Sequence, residues 1–148
     1  MTLRFLAFAF APLPLTLTLT LFAAACAPAD PETAAARSAA AIAAAPEATV
    51  IGEAQTCIDR AQIRNTAVHS DQVIDFEMQG GAVYRNILAQ RCPGLGMDRA
   101  INYQTSLNQL CRQQIVYTLQ NIGGVVQRGG GCSLGDFVPV DYVKREQK

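Results

Sequence analysis

The sequence predicts a mainly β fold, a small antiparallel barrel or roll stapled by two disulfides. Three observations carry that prediction. Short segments after about Gly52 alternate in polarity, glycine-rich turns separate them, and four cysteines fall within this part. Alternation over a few residues is the mark of a half-buried strand. Several short strands with glycine turns and no long amphipathic helix point to a barrel or roll. The candidate core spans about 90 residues, and a domain that small is often marginal without covalent help.

The chain of 148 residues carries no formal net charge, and half of its residues are hydrophobic. Length predicts one domain. Balanced charge argues against a nucleic-acid partner, which requires a basic surface to neutralise phosphates. Lys144, Arg145 and Lys148 form the only basic cluster, and a charged tail tip is solvated by default.

Residues 1–25 read as an export signal. Arg4 lies in a short basic start, an apolar run follows to Phe22, and Ala23, Ala24 and Ala25 precede Cys26. Pro12 and Pro14 would kink a permanent membrane helix. Small residues directly before a cysteine resemble a bacterial lipobox, although Ala23 stands where that signal usually has leucine. The resemblance implies that Cys26 becomes the first mature residue and carries lipid. At roughly 0.8 kcal/mol per buried CH2, two or three acyl chains hold a small protein firmly to a membrane. The competing reading is ordinary cleavage near Ala25, giving a soluble periplasmic protein with a free thiol. Ala27 follows Cys26, and the lack of Asp there points to the outer membrane, with the domain facing the periplasm.

Residues 26–51 form a tether. Ala dominates, prolines stand at 28, 31 and 46, and few large apolar side chains are present. Alanine favours helix, but an isolated helix this short is marginal, so transient helix is expected. The β domain then occupies residues 52–148.

Setting Cys26 aside leaves Cys57, Cys92, Cys111 and Cys132. In an oxidising compartment they read as two disulfides. No C-x2-C pair is present, which disfavours a zinc site with four cysteine ligands. Of three possible pairings, Cys92–Cys111 with Cys57–Cys132 is preferred. The first closes a local loop and the second ties the domain's ends, at roughly 3 and 4 kcal/mol.

Along the domain, a turn at Cys57 leads to a strand around Ile63 to Val68. "QVIDFEM" places Ile74, Phe76 and Met78 on one face, with Asp75 and Glu77 on the other. Gly80-Gly81 and "AVYRNIL" complete a β-hairpin. A two-residue turn pairs Ile74 with Ile87 but sets Arg85 against Phe76. A one-residue slip brings Tyr84, Asn86 and Leu88 to the apolar face instead. Each register leaves one polar misfit. Pro93 to Ala100 holds a helical turn, "AINYQ" a short strand, and "TSLNQLC" a loop or short helix. "QIVYTLQ" is a strand with Ile115, Tyr117 and Leu119 on one face. "VVQR" pairs back before a flexible loop at Gly129-Gly130-Gly131. "LGDFVPV" is the last strand, and Pro139 suggests an edge.

The run "CIDRAQIRNTAVHSDQVIDFEMQGGAVYRNILAQRCPGLG", with Leu110-Cys111 and "GGGCSLGDFVPV", resembles a family of small proteobacterial secreted proteins and lipoproteins carrying a domain of unknown function. The matching features are Cys57, Ile63, Val68, Asp71 through Phe76, Tyr84, and Cys92 to Leu95. The resemblance implies export and a four-cysteine framework. It implies no activity, and fold-level analogy would not supply one.

Chemistry is sparse. His69 is the only histidine and lies near Asp71, so the pair could act as a general base. "VHSDQ" reads equally as a polar turn. Asp75 and Glu77 could hold a cation, or form the solvated side of a strand. Arg85, Arg91 and Arg99 could present a cationic surface to lipid headgroups or polysaccharide. No phosphate-binding glycine motif is present. No catalytic residue, cofactor or metal is assigned. The resulting expectation is a non-enzymatic envelope lipoprotein, attached to the membrane by its N-terminal lipid and binding an envelope protein, glycan or lipid. The alternatives are a small periplasmic enzyme using His69 and Asp71, or a metal-binding module built on the four cysteines.

Overall fold

A computed structural model describes residues 30–105 and 107–143. The export signal, Cys26 and the basic cluster of Lys144, Arg145 and Lys148 lie outside these residues. The chain is mainly antiparallel β, in three open sheets rather than one closed barrel.

The alanine run is a regular helix, α1 (Pro31–Ala43), with proline in its first turn, where a missing N–H costs no hydrogen bond. No residue of α1 is buried. Strand β1 (Ala48–Val50) follows and pairs with the last strand, β10 (Phe137–Tyr142). The sheet therefore begins before Gly52, and the last residues expected in the tether belong to it.

Strand β2 (Cys57–Asp59) leads through a single 3-10 turn, capped by the Asp59 carboxylate on the Ala61 N–H, into β3 (Ile63–Val68). Strands β4 (Val73–Met78) and β5 (Val83–Ile87) form the expected hairpin. The five-stranded sheet runs β1-β10-β5-β4-β3. After β5 come the short helix α2 (Leu95–Asp98), β6 (Ile101–Tyr103) and β7 (Gln109–Cys111). "TSLNQLC" thus ends in a strand, which pairs with β2. Strands β8 (Ile115–Ile122) and β9 (Val125–Ser133) join β6 in a sheet ordered β6-β8-β9.

The hairpin takes the slipped register. Phe76 faces Tyr84 and Ile74 faces Asn86, around the three-residue loop Gln79–Gly81. Gly80 and Gly81 both have positive φ, +91° and +92°, a conformation that glycine adopts without steric cost. The misfit this register leaves is Asn86, fully buried. Its amide donates to the carbonyls of Gly135 (2.8 Å) and Asp136 (3.2 Å), and its Oδ1 accepts the Gly135 N–H at 2.8 Å. A buried amide with its partners supplied costs little. The other register would have set Arg85 against Phe76 in the core. A Cβ at Gly135 would collide with the Ile87 carbonyl oxygen, so glycine is required at the clamp.

Ile74, Phe76 and Met78 do line the core, with Ile58, Leu88, Leu95, Leu110, Val116, Leu134 and Phe137. Phe76 and Phe137 meet edge-on, with centroids 5.4 Å apart, a favourable aromatic geometry.

Three expectations about strands are corrected. In β8 the buried side chains are Val116 and Thr118, while Ile115 is exposed, so the core takes the face opposite to the one read from Ile115, Tyr117 and Leu119. Gly129-Gly130-Gly131 lies within β9 rather than in a loop. A Cβ at Gly129 would strike Thr118 Oγ1, and one at Gly131 would sit 2.9 Å from the Ile115 side chain. Glycine there permits close approach of β9 to β8 at a bulge. Finally, β10 is an interior strand between β1 and β5. Pro139 is accommodated because β1 ends at Val50, and its carbonyl still accepts the Ile51 N–H at 3.0 Å.

The disulfides are Cys57–Cys111 and Cys92–Cys132, not the preferred Cys92–Cys111 and Cys57–Cys132. Cys57 and Cys111 are directly opposed on β2 and β7. Cys92–Cys132 joins the segment after β5 to β9. Both bonds span long separations, 54 and 40 residues. Sequence proximity misled because strand pairing, not loop length, sets which sulfurs meet. With all four sulfurs bonded in pairs, none is a free thiolate that could ligate a metal.

Candidate functional site: a buried carboxylate network

Asp75, expected to be solvated, has no exposed surface. Register explains it. Asp75 on β4 lies directly opposite Arg85 on β5 and Ala67 on β3. His69, one residue past β3, and Tyr142 at the end of β10 reach the same carboxylate.

The carboxylate is saturated. Arg85 donates from Nε to Oδ1 and from Nη2 to Oδ2, both at 2.9 Å, the fork geometry that makes arginine pairs strong. The Tyr142 hydroxyl donates to Oδ2 at 2.9 Å, and His69 Nε2 lies 2.9 Å from Oδ2. One side chain thus ties together β4, β5, β10 and the turn after β3. The hydrogen bond to Asp75 holds the Arg85 guanidinium above its ordinary value. Burial pushes the Tyr142 phenol upward, and the hydrogen bond to Asp75 adds to the shift.

That shift has a consequence at alkaline pH. A group whose folded value is raised contributes stability that is complete below its ordinary value and declines as pH climbs above it. For Tyr142 the decline starts near pH 10.0. Urea unfolding at about pH 9 and about pH 11 is expected to show this loss, and Tyr142→Phe to flatten it, at a cost of about 1 kcal/mol near neutrality.

The expected His69–Asp71 pair does not form. Asp71 accepts Arg91 Nη2 at 2.7 Å and the Gly96 N–H at 2.8 Å. It closes the segment after β5 onto the turn after β3. Ser70, the nearest hydroxyl in sequence, uses Oγ to accept the N–H groups of Gln72 and Val73, both at 3.2 Å. Such a turn fixes backbone and leaves the serine unsuited to attack.

Comparison with known proteins finds no family model, no curated protein and no solved structure that matches this chain. Function therefore rests on geometry alone.

Glu77 pairs with Arg64 at 3.2 Å, so Asp75 and Glu77 are each held by an arginine and do not form a joint cation site. Among the described residues no group of three or more His, Cys, Asp or Glu is placed to hold a metal. The three arginines do not make a common surface either: Arg85 is taken by Asp75 and Arg91 by Asp71. No helix among the described residues is long and apolar enough to cross a membrane. The two disulfides belong to an oxidising environment, as exported domains have.

The signal for the network was present in the sequence, at Asp75, Arg85 and Tyr142, but could be read only with the register known.

Proposed function

We propose that the chain is an exported envelope lipoprotein, anchored through lipid on Cys26, whose disulfide-stapled β domain binds a partner rather than catalyses a reaction. The observation that carries this reading is the saturation of Asp75. A general base needs a partner able to move charge with a reacting group nearby. His69 instead faces a carboxylate already neutralised by Arg85, beside a serine committed to backbone. The network is a strand anchor. The three small residues before Cys26, the helical spacer α1 and the two disulfides fit a domain held away from a membrane surface in an oxidising space. Ala27 after Cys26 favours the outer membrane, with the domain facing the periplasm.

Complementation of a deletion strain separates this from enzymatic use of His69. His69→Gln, which keeps a donor toward Asp75, is expected to restore the phenotype as fully as the native chain. Cys26→Ser, with the signal left intact, is expected to fail. Loss of function in His69→Gln with normal protein levels would contradict the binding reading, and full rescue by Cys26→Ser would contradict the anchor.

A further inference from the structure

We propose that the cleft between β3 and β6 binds an extended acidic peptide segment by strand addition. This names the partner class of the binding module proposed above and rests on that reading.

Two open sheet edges meet there. β3 ends the five-stranded sheet and β6 ends the three-stranded sheet, each with a neighbour on one side only. Among the described residues, no backbone hydrogen bond from outside its own ladder reaches Arg64–Ala67 or Ile101–Tyr103. The two edges line one open cleft of about 410 Å3. An unpaired edge is a row of donors and acceptors for another strand, and proteins usually blunt it with proline, bulges or cover. Neither Arg64–Ala67 nor Ile101–Tyr103 contains proline, and the one irregularity of β3 lies at its start, between Ile63 and Asn65, which leaves Asn65–Ala67 as regular edge.

The cleft has the shape and lining of a strand site. It runs along Ile63 to Thr66 of β3 and Arg99 to Ile101 with Tyr103 at β6, an elongated lining that suits an extended chain. Ile63, Ile101 and Tyr103 are partly buried and packed on the core, giving an apolar floor. Arg64 and Arg99 flank it, and no lining residue is acidic. Arg64 shares its charge with Glu77. Arg99 is exposed and makes no ion pair among the described residues. A strand alternating apolar and carboxylate side chains would place one set on the floor and the other toward the guanidiniums, while its backbone pairs with an edge. The chain's own C-terminal cluster, Lys144, Arg145 and Lys148, has the wrong sign to be the occupant.

The test uses the full chain with its disulfides intact and a fluorescein-labelled heptapeptide of alternating valine and glutamate, read by anisotropy. Saturable binding is expected, with no binding of the same peptide carrying lysine for glutamate. N-methylation of alternate peptide amides is expected to abolish binding, because it removes the edge hydrogen bonds. Arg99→Glu should weaken binding about tenfold and Arg99→Lys should retain it, since charge rather than fork geometry is used. Arg128→Glu, on β9 with β8 between it and β6 and not among the residues lining the cleft, should bind normally, and near-ultraviolet circular dichroism checks that each variant is folded. Absence of saturable binding, equal binding of the N-methylated peptide, or native affinity in folded Arg99→Glu would each overturn the assignment. If the peptide fails while the anchored native chain still crosslinks to an envelope partner, the cleft assignment falls and the binding-module reading stands.

Discussion

Reduction of both disulfides is expected to unfold the β domain. Closing loops of 54 and 40 residues restricts the unfolded chain, at about 4 kcal/mol for each bond in the chain-entropy treatment. The two together rival the whole net stability of a typical small domain. Local architecture adds to the dependence. Strands β2 and β7 are three residues each and pair only with each other, so Cys57–Cys111 holds a ribbon too short to stand alone. Cys92–Cys132 ties the segment after β5 to β9 and so couples the two larger sheets. The paired variants Cys57→Ala/Cys111→Ala and Cys92→Ala/Cys132→Ala are each expected to lose about 4 kcal/mol in urea unfolding. Full reduction should abolish the near-ultraviolet signal of the packed tyrosines. A reduced chain with an unchanged urea midpoint would remove the disulfides from any role in stability.

Asp75→Ala carries the second large effect, a loss of about 3 to 5 kcal/mol. The cost arises from what is left behind. The Arg85 side chain is only 12% exposed, and without Asp75 its guanidinium stays desolvated and uncompensated. Tyr142 and His69 also lose their acceptor, although both reach solvent and regain part of the loss from water. Removing the partner as well should recover stability. The double variant Asp75→Leu/Arg85→Met is therefore expected to be more stable than Asp75→Leu alone, because a buried ion pair replaced by apolar side chains is far less costly than one broken. Chemical unfolding of the two variants side by side reads this directly. Equal stability of the two would mean that the guanidinium of Arg85 carries no penalty when left without Asp75.

Local patterns were legible and long-range pairings were not. The alternation of Ile74, Phe76 and Met78 identified a core strand, and Gly80-Gly81 identified its turn. The even cysteine count after Cys26 identified two disulfides. Which sulfurs meet depends on β2 pairing with β7 across half the domain, and nothing near either cysteine encodes that. The hairpin register was ambiguous for a related reason. Asn86 counts as a misfit until Gly135 and Asp136 are known to lie beside it. Asp75 looked solvated because its compensation comes from β5, β10 and the turn after β3. In β8 the stronger apolar face lost to Val116 and Thr118, because Val116 packs in a core shared with Phe76 and Leu95, which lie far from it in sequence. Pro139 suggested an edge because proline's missing donor is usually fatal inside a sheet, yet β1 stops just short of it. The β3–β6 cleft depends on two strands that are far apart in sequence, and only their sheet order shows that both edges are open.

The central claim, an exported β domain anchored at Cys26 and stapled by two specific disulfides, meets its most direct test in a non-reducing peptide mass map of the chain purified from envelopes. The expected map has an acylated N-terminal peptide beginning at Cys26, one linked pair containing Cys57 and Cys111, and one containing Cys92 and Cys132. An unacylated N-terminus, a Cys92–Cys111 link, or free thiols at these four positions would contradict it.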